Sequence, residues 1–278
     1  ERNKIQMRFN HDLTGKTAVV TGAGGVLCSM FAQTLAQNGA TVALLDINYD
    51  AAKAAAEKIG ENAFAVQANC LDKTSLESAR NKVTERFGRV NLLINGAGGN
   101  NPRGTTEDET YDEESTKSFF NLDESGIKFV LELNFLGTLL PTQVFAPLML
   151  KNEGVIINVS SMNAYRPLTK IPAYSGAKAA VSNLTQWLAV YFAKSGIRVN
   201  AIAPGFFVTN QNRSLLFDDK GNPTPRTEKI LRATPMGRFG EARELCGTLM
   251  WLADNNASGF VTGTVIPVDG GFSAYSGV

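Results

Sequence analysis

Residues 16–25 read Lys-Thr-Ala-Val-Val-Thr-Gly-Ala-Gly-Gly, an apolar, β-branched run that stops abruptly in glycines. Such a run reads as a strand, here 16–20, because β-branched side chains pack well on a pleated surface. The glycines permit a tight turn, and residues 27–38 resume with helical spacing. A lone Gly-rich turn after a strand is common, so its meaning depends on what surrounds it.

Working outward, the same alternation runs through almost the whole chain. Further strands are expected at 41–46, 63–67, 91–94, 155–159, 198–203 and 265–268, and helices at 50–59, 74–87, 124–150, 173–195 and 241–253. The strands are nearly continuously apolar, as strands buried on both faces must be. Strand–helix alternation of this kind predicts an α/β fold. We expect one doubly wound Rossmann-type domain over residues 1–278, a seven-stranded parallel sheet with helices on both faces. No linker or internal repeat interrupts it. Residues 1–11 are expected to be a tail. Two segments break the rhythm: 99–123, polar and acidic, and 206–235, which mixes aromatics with Asn, Arg and Pro. Both follow the carboxyl end of an expected strand, the edge at which open α/β sheets bind ligands. They are expected to cover a substrate, although the charge of 99–123 equally suits a solvated loop.

Composition narrows the function classes. The chain has 278 residues, 44% hydrophobic, and a net charge of +1 from 27 basic and 26 acidic residues. A balanced charge disfavours nucleic acid or an anionic membrane as the main partner, since both call for a basic footprint. No apolar run approaches the ~20 residues of a bilayer span, and residues 1–10 are unlike a secretory signal. The three cysteines, Cys28, Cys70 and Cys246, are widely spaced and read as free thiols in a reducing compartment, so the cytoplasm is expected. His11 is the only histidine, and no metal site is expected.

The turn at 21–25 then acquires a chemical meaning. Backbone N–H groups of such a turn can approach a pyrophosphate at the following helix N-terminus. The second strand ends in Asp46, 24 residues after Gly22, near the offset expected of an acid that accepts the hydroxyls of an adenosine ribose. A carboxylate there repels a 2′-phosphate, and no Arg or Lys follows to receive one, so NAD is expected rather than NADP. A second Gly-rich turn, Asn95-Gly96-Ala97-Gly98-Gly99, ends strand four on the same edge. Farther on, Tyr174-Ser175-Gly176-Ala177-Lys178 opens a helix and puts Tyr174 and Lys178 one turn apart on one face. A phenol titrates near ~10, and a neighbouring ammonium favours its ionised form. Tyr174 could then exchange a proton with an alcohol or ketone. Ser160-Ser161, at the end of strand five, precede it by 13 residues or so and can return to the same cleft.

In this order and spacing the motifs resemble the short-chain dehydrogenase/reductase family across residues 12–271. The matching features are TGAGG at 21–25, Asp46, NGAGG at 95–99, Asn134 in LELNFLGT, Ser161, YSGAK at 174–178, PGFFVT at 204–209 and VDGGF at 268–272. The resemblance implies catalysis by Asn134, Ser161, Tyr174 and Lys178. Ser161 would bond the reacting oxygen, Tyr174 act as acid and base, Lys178 lower its pKa and hold a ribose, and Asn134 hold a water in a proton relay. It implies cofactor contacts from Gly22, Gly24, Gly25, Val26, Leu27, Asp46, Ile47, Asn69, Cys70, Asn95, Gly96, Ala97, Gly98, Pro204, Gly205, Phe207 and Thr209, and a homotetramer. The usual pattern has glycines where this chain has Val26 and Cys28, which shifts the expected pyrophosphate contacts toward Gly24 and Gly25. Within the family, FFNLDESG, the run SSMNAYRPLTKIPAYSGAKAAVSNLTQWLAV and the final GGFSAYSGV are similar to the D-mannonate oxidoreductase (fructuronate reductase) branch.

The substrate is therefore expected to be a sugar acid, with another sugar-acid or polyol dehydrogenase (gluconate or 2-deoxygluconate type) as the alternative. A non-catalytic dinucleotide sensor is the competing class, and the intact four-residue set speaks against it. The carboxylate is expected to meet a cation from Arg103, Arg166, Lys170 or Arg213, with Asn163, Asn210 and Asn212 as hydroxyl partners. Each cation also has a plain reading as a surface residue.

Overall fold

The seven expected strands form one parallel sheet in the computed structural model, which describes residues 11–209 and 213–277. They are β1 Thr17–Thr21, β2 Thr41–Asp46, β3 Ala63–Gln67, β4 Leu92–Asn95, β5 Val155–Val159, β6 Arg198–Pro204 and β7 Val265–Val268. The order across the sheet is β3-β2-β1-β4-β5-β6-β7, so the winding reverses between β1 and β4.

Alternation along the strands explains the two helical layers. Ala18 and Val20 of β1 and Val42 and Leu44 of β2 face one cluster with Phe31, Leu35 and Ala52. Val19, Ala43 and Leu45 face the other, with Leu76, Val83, Phe145 and Leu188. One layer thus contains α1 Val26–Gln37, α2 Tyr49–Ile59 and, farther along the chain, a helix over Cys246–Ala253; the other contains α3 Lys73–Phe87 and the long helices after β4 and β5. Local chemistry sets the boundaries. Asn48 and Asp72 cap α2 and α3 through their side chains, and Gly88 ends α3 in the left-handed conformation.

The expected helix 124–150 is continuous but not uniform. It comprises α4 Glu124–Leu131, a π turn Glu132–Leu136, α5 Gly137–Phe145 and a 3-10 turn Ala146–Met149. By length and composition Glu124–Met149 is apolar enough to cross a bilayer, which corrects the sequence reading that no such run exists; half of its apolar window lies inside the protein. It packs because Asn95 donates to Thr142 of α5 (2.9 Å) and to Asn158 of β5 (2.8 Å). Asn158 in turn donates to Thr185 (2.9 Å) of α6 Pro172–Phe192. This buried polar ladder ties both helices to the sheet, its amide donors all paired, while Asn95 Oδ1 is buried without a partner.

The two irregular segments have structure of their own. Residues 99–123 are braced by Glu107 N–H on the Lys117 carbonyl (2.9 Å), by an Arg103–Asp123 ion pair (3.5 Å) and by Lys117 on the Pro102 carbonyl. Segment 206–235 contains α7 Arg213–Leu216 and α8 Pro225–Ala233, helices not expected from the sequence. Next comes α9, Cys246–Ala253, led in by a 3-10 turn at Ala242–Leu245 and followed by the short α10 Asn255–Ser258.

Candidate active site

The carboxyl ends of β1 and β4 carry the two Gly-rich turns, and Thr21 joins them. Its hydroxyl accepts hydrogen bonds from Gly96 N–H (3.1 Å) and Ala97 N–H (3.2 Å). Between the turns and β5–β6 opens a cavity of about 600 Å³, ample for an extended small ligand. α1 begins at its edge with Gly25 as N-cap, no capping side chain and no acid in its first turn. A helix start of this kind presents N–H groups and partial positive charge to an anion.

Cys28 resolves the departure from the glycine pattern. Its side chain is buried, and a methyl group at Gly96 would lie 2.1 Å from its Sγ. The space surrendered at the start of α1 is thus recovered on the opposite turn, where only glycine fits. Burial pushes the thiols of Cys28 and Cys70 up to about 12, which leaves both protonated and unreactive at neutral pH.

At the far end of β2, Asp46 Oδ2 accepts from Gly24 N–H (2.9 Å) and Oδ1 from Asn48 N–H (2.9 Å). These bonds aim the carboxylate at the cavity and fix the glycine turn to it. Lys178 is the only cation among the described residues lining the cavity. The chemistry of the donor set suits a dinucleotide: a helix start for a pyrophosphate, a carboxylate for a ribose, and no cation lining the cavity beside Asp46 for an added phosphate.

The other end holds the acid–base groups. Ser161 caps a 3-10 turn, Met162–Ala164, and accepts from Asn163 N–H (3.3 Å). Tyr174 and Lys178 project from the first turns of α6, with Pro172 at its first position. Lys178 Nζ donates to the Val159 carbonyl (2.8 Å) and lies 5.7 Å from the centre of the Tyr174 ring. Burial pushes the lysine down to about 8. Burial also raises the Tyr174 phenol, opposed by its hydrogen bond with Ser161. The expected lowering of Tyr174 by the ammonium is not what the site shows: desolvation dominates, and the opposing influence is the Ser161 hydrogen bond. Asn134 sits in the π turn, fully buried, donating to the carbonyls of Gly99 (2.8 Å) and Val130 (2.7 Å). A π turn adds a residue to the helical repeat and re-aims the side chains beyond it, and such turns gather at functional sites.

Most residues named from the sequence meet here. Gly22, Gly24, Gly25, Val26, Leu27, Asp46, Ile47, Asn69, Cys70, Gly96, Ala97, Gly98, Ser161, Tyr174, Lys178, Pro204, Gly205, Phe207 and Thr209 all line the cavity. Asn95 does not, because its amide serves the buried ladder. Asn134 lies one layer behind. Of the substrate candidates, Arg103 is tied to Asp123, Arg213 lies over the Phe217 ring at 5.7 Å, Arg166 is exposed, and Asn163 is buried. None of these four lines the cavity, and Asn210 and Asn212 fall outside the described residues. Sequence reading missed Cys28, Asn48, Leu133, Ser160 and Phe206 as lining residues and Thr21 as the link between turns. The polar end of an apolar strand was the available signal for Thr21.

A family model described as enoyl-(acyl carrier protein) reductase matches residues 25–273. The chain belongs to the short-chain dehydrogenase/reductase family. A Haemophilus influenzae protein known as an uncharacterized oxidoreductase is 59% identical over 281 residues, covering 99% of each chain. The Bacillus subtilis protein named uncharacterized oxidoreductase UxuB is 53% identical over 275 residues, 97% of this chain and 99% of that one. Among solved structures, that of a proposed D-mannonate oxidoreductase from Haemophilus influenzae with bound NAD is 59% identical, with a TM-score of 0.93 over 97% of this chain and 99% of the other. This short-chain dehydrogenase/reductase thus has the family's seven-stranded sheet, with Ser161, Tyr174, Lys178 and the two glycine turns on one edge.

Proposed function

We propose that this enzyme interconverts the secondary alcohol and the ketone of a hexonic acid with NAD(H), D-mannonate and D-fructuronate being the first candidate pair. The observation that carries the reading is the Ser161–Tyr174–Lys178 group, with Ser161 and Lys178 buried and Tyr174 half-buried, at one end of a cavity whose other end is Asp46. NAD, when bound, accepts or returns the hydride on the substrate carbon. Ser161 holds the substrate oxygen. Tyr174 gives that oxygen its proton in reduction and takes it back in oxidation. The raised phenol keeps its proton at neutral pH, the state that ketone reduction requires. Lys178 keeps a positive charge beneath the site, and Asn134, fixed by its bonds to the Gly99 backbone, would hold a water in a proton relay to the lysine.

The choice of sugar acid is supported by the 59% identity to the proposed D-mannonate oxidoreductase and by the sequence runs shared with that branch. A different sugar-acid or polyol dehydrogenase is the alternative. Residues 99–123 and 206–235 would cover the substrate. Turnover assays with NAD and a panel of hexonic acids test the reading, and absence of turnover on all of them refutes it.

The working unit would be a homotetramer. Support comes from apolar side chains left exposed on the long helices, Phe129, Leu131 and Leu136 before β5 and Trp187, Val190 and Tyr191 on α6, with Trp187 and Tyr191 stacked at 4.9 Å. Clustered apolar exposure of this kind marks an interaction surface. Light scattering of the purified protein should return four chain masses, and a single chain mass would count against it.

A further inference from the structure

One wall of the cavity is set from outside it. β6 lies beside β5 in the sheet, so its carboxyl end and the residues that follow, 204–207, line the cavity next to Ser160 and Ser161. Phe206 and Phe207 also line a second cavity, of about 250 Å³, at the ends of β6 and β7. Phe207 is 6% exposed, and its side chain is part of the partition between the two spaces. Gly240 lines the second cavity and not the first. Its N–H donates to the Phe206 carbonyl (2.9 Å), and its backbone pairs with Phe207 in an isolated parallel bridge. A methyl group on Gly240 would lie 2.3, 2.6 and 2.9 Å from Cε1, Cζ and Cδ1 of the Phe207 ring, far inside the ~3.5–4.0 Å of carbon–carbon contact.

The contact explains the glycine. The Gly240 backbone lies outside the left-handed region, so conformation does not demand glycine there, and the ring does. Both backbones are held. Gly205 N–H donates to the Val268 carbonyl (2.9 Å), and a methyl group on Gly205 would lie 2.6 Å from Asp269 Cα, so the chain before Phe207 is packed on the turn after β7. Phe206 meets the Phe272 ring edge-to-face at 5.2 Å. Around Gly240, Arg238 donates to both carboxylate oxygens of Glu244 (2.8 and 2.6 Å), which accepts in turn from Glu241 N–H (2.9 Å). Extra bulk at 240 is therefore relieved by the ring, into one cavity or the other, and either shift removes the wall beside Ser161. We propose that Gly240 is a positioning residue for the reacting end of the site: it keeps the Phe207 ring as the wall on which NAD(H) is seated, and so sets the cofactor's alignment with Ser161 and Tyr174. The inference is independent of which sugar acid is turned over, since it is read on NADH alone.

The test compares wild type, Gly240→Ala, Phe207→Val and the double variant by fluorescence titration of NADH, kcat for D-fructuronate and thermal melting. Gly240→Ala should weaken NADH binding about tenfold, the scale of overpacking a filled site, and lower kcat by up to about 10²-fold, the scale of an ångström's misalignment. Phe207→Val removes all three opposing ring atoms, so adding Gly240→Ala to it should change neither quantity by more than about twofold, the two positions being coupled only through the ring. A penalty from Gly240→Ala of the same size in both backgrounds overturns the inference, because the methyl group then acts on something other than Phe207. So does a Gly240→Ala protein that binds NADH and turns over as the wild type does, whatever its melting temperature, the mark of a purely structural glycine. If Gly240→Ala alone does not fold, the double variant must fold and match Phe207→Val, and its failure to do so overturns the inference as well. Inactivity on every hexonate would refute the proposed function and leave the NADH titrations to decide this one.

Discussion

Asn134 and Lys178 converge on the Cα of Gly98: a methyl group there would lie 2.7 Å from Asn134 Oδ1 and 3.2 Å from Lys178 Nζ. The second glycine turn is therefore packed directly against both side chains, and on the proposed function it serves the acid–base group as well as the cofactor. Asn134 reaches this point because a π turn rotates it inward, where it holds the Gly99 carbonyl at 2.8 Å. Lys178 reaches it from the opposite side, anchored on Val159 of β5.

The buried lysine carries a pH signature. Its folded value of about 8 lies below the ordinary lysine range near ~10.4. Between these values the unfolded chain holds a proton that the folded protein has released, so folding stability rises with pH across that window. Below pH 8 both states are protonated and the cost of burying the charge is present in full. Relative to Lys178→Met, the wild type should therefore gain stability from pH 8 to pH 10.5, by an amount on the order of 3 kcal/mol. Paired denaturant melts across this range check it, and a constant difference would contradict the burial argument. The variant should also lose nearly all turnover.

Tyr174→Phe removes the proton donor while leaving the ring that lines the cavity. Turnover should fall by at least about 10²–10⁴-fold, whereas NADH affinity, spread over many contacts, should stay within a few-fold by fluorescence titration. Because burial raises the phenol, oxidation should accelerate as pH rises above neutrality and reduction should not. Wild-type turnover in the variant would remove Tyr174 from the mechanism.

Asp46 should set the cofactor preference. Replacing it with Ser removes the ribose acceptor, the repulsion of a 2′-phosphate and the bond to Gly24. The NAD-to-NADP ratio of kcat/KM should narrow by about tenfold or more, the scale of a lost charge-assisted contact. A wild-type enzyme faster with NADPH would contradict the reading of β2.

The strands were legible because each is a short apolar run bounded by turn residues: β2, β3, β5 and β7 fall where the sequence places them. The starts of α2, α3 and α4 were legible to within a residue, each behind a capping Asn48, Asp72 or Asp123. Periodicity could not reveal the π turn at 132–136, since one extra residue in a long apolar helix leaves the pattern nearly unchanged. α7 and α8 were missed because α7 has four residues and α8 lies among Pro, Asn and Gly that read as loop. Side-chain partners across segments, such as Arg103 with Asp123 or Glu109 with Lys229, depend on tertiary approach and leave no mark on local spacing. The exchange of space between Cys28 and Gly96 was half visible, as a bulky residue without its compensating glycine.

The most direct test of the account is a comparison of initial rates with NADH for D-fructuronate, 5-ketogluconate and uncharged ketoses such as D-fructose at matched concentrations. The account predicts fastest reduction of D-fructuronate, with the uncharged ketoses slower by about tenfold or more for want of the carboxylate contact. Preference for 5-ketogluconate would install the alternative sugar acid, and faster reduction of an uncharged ketose would contradict the central claim.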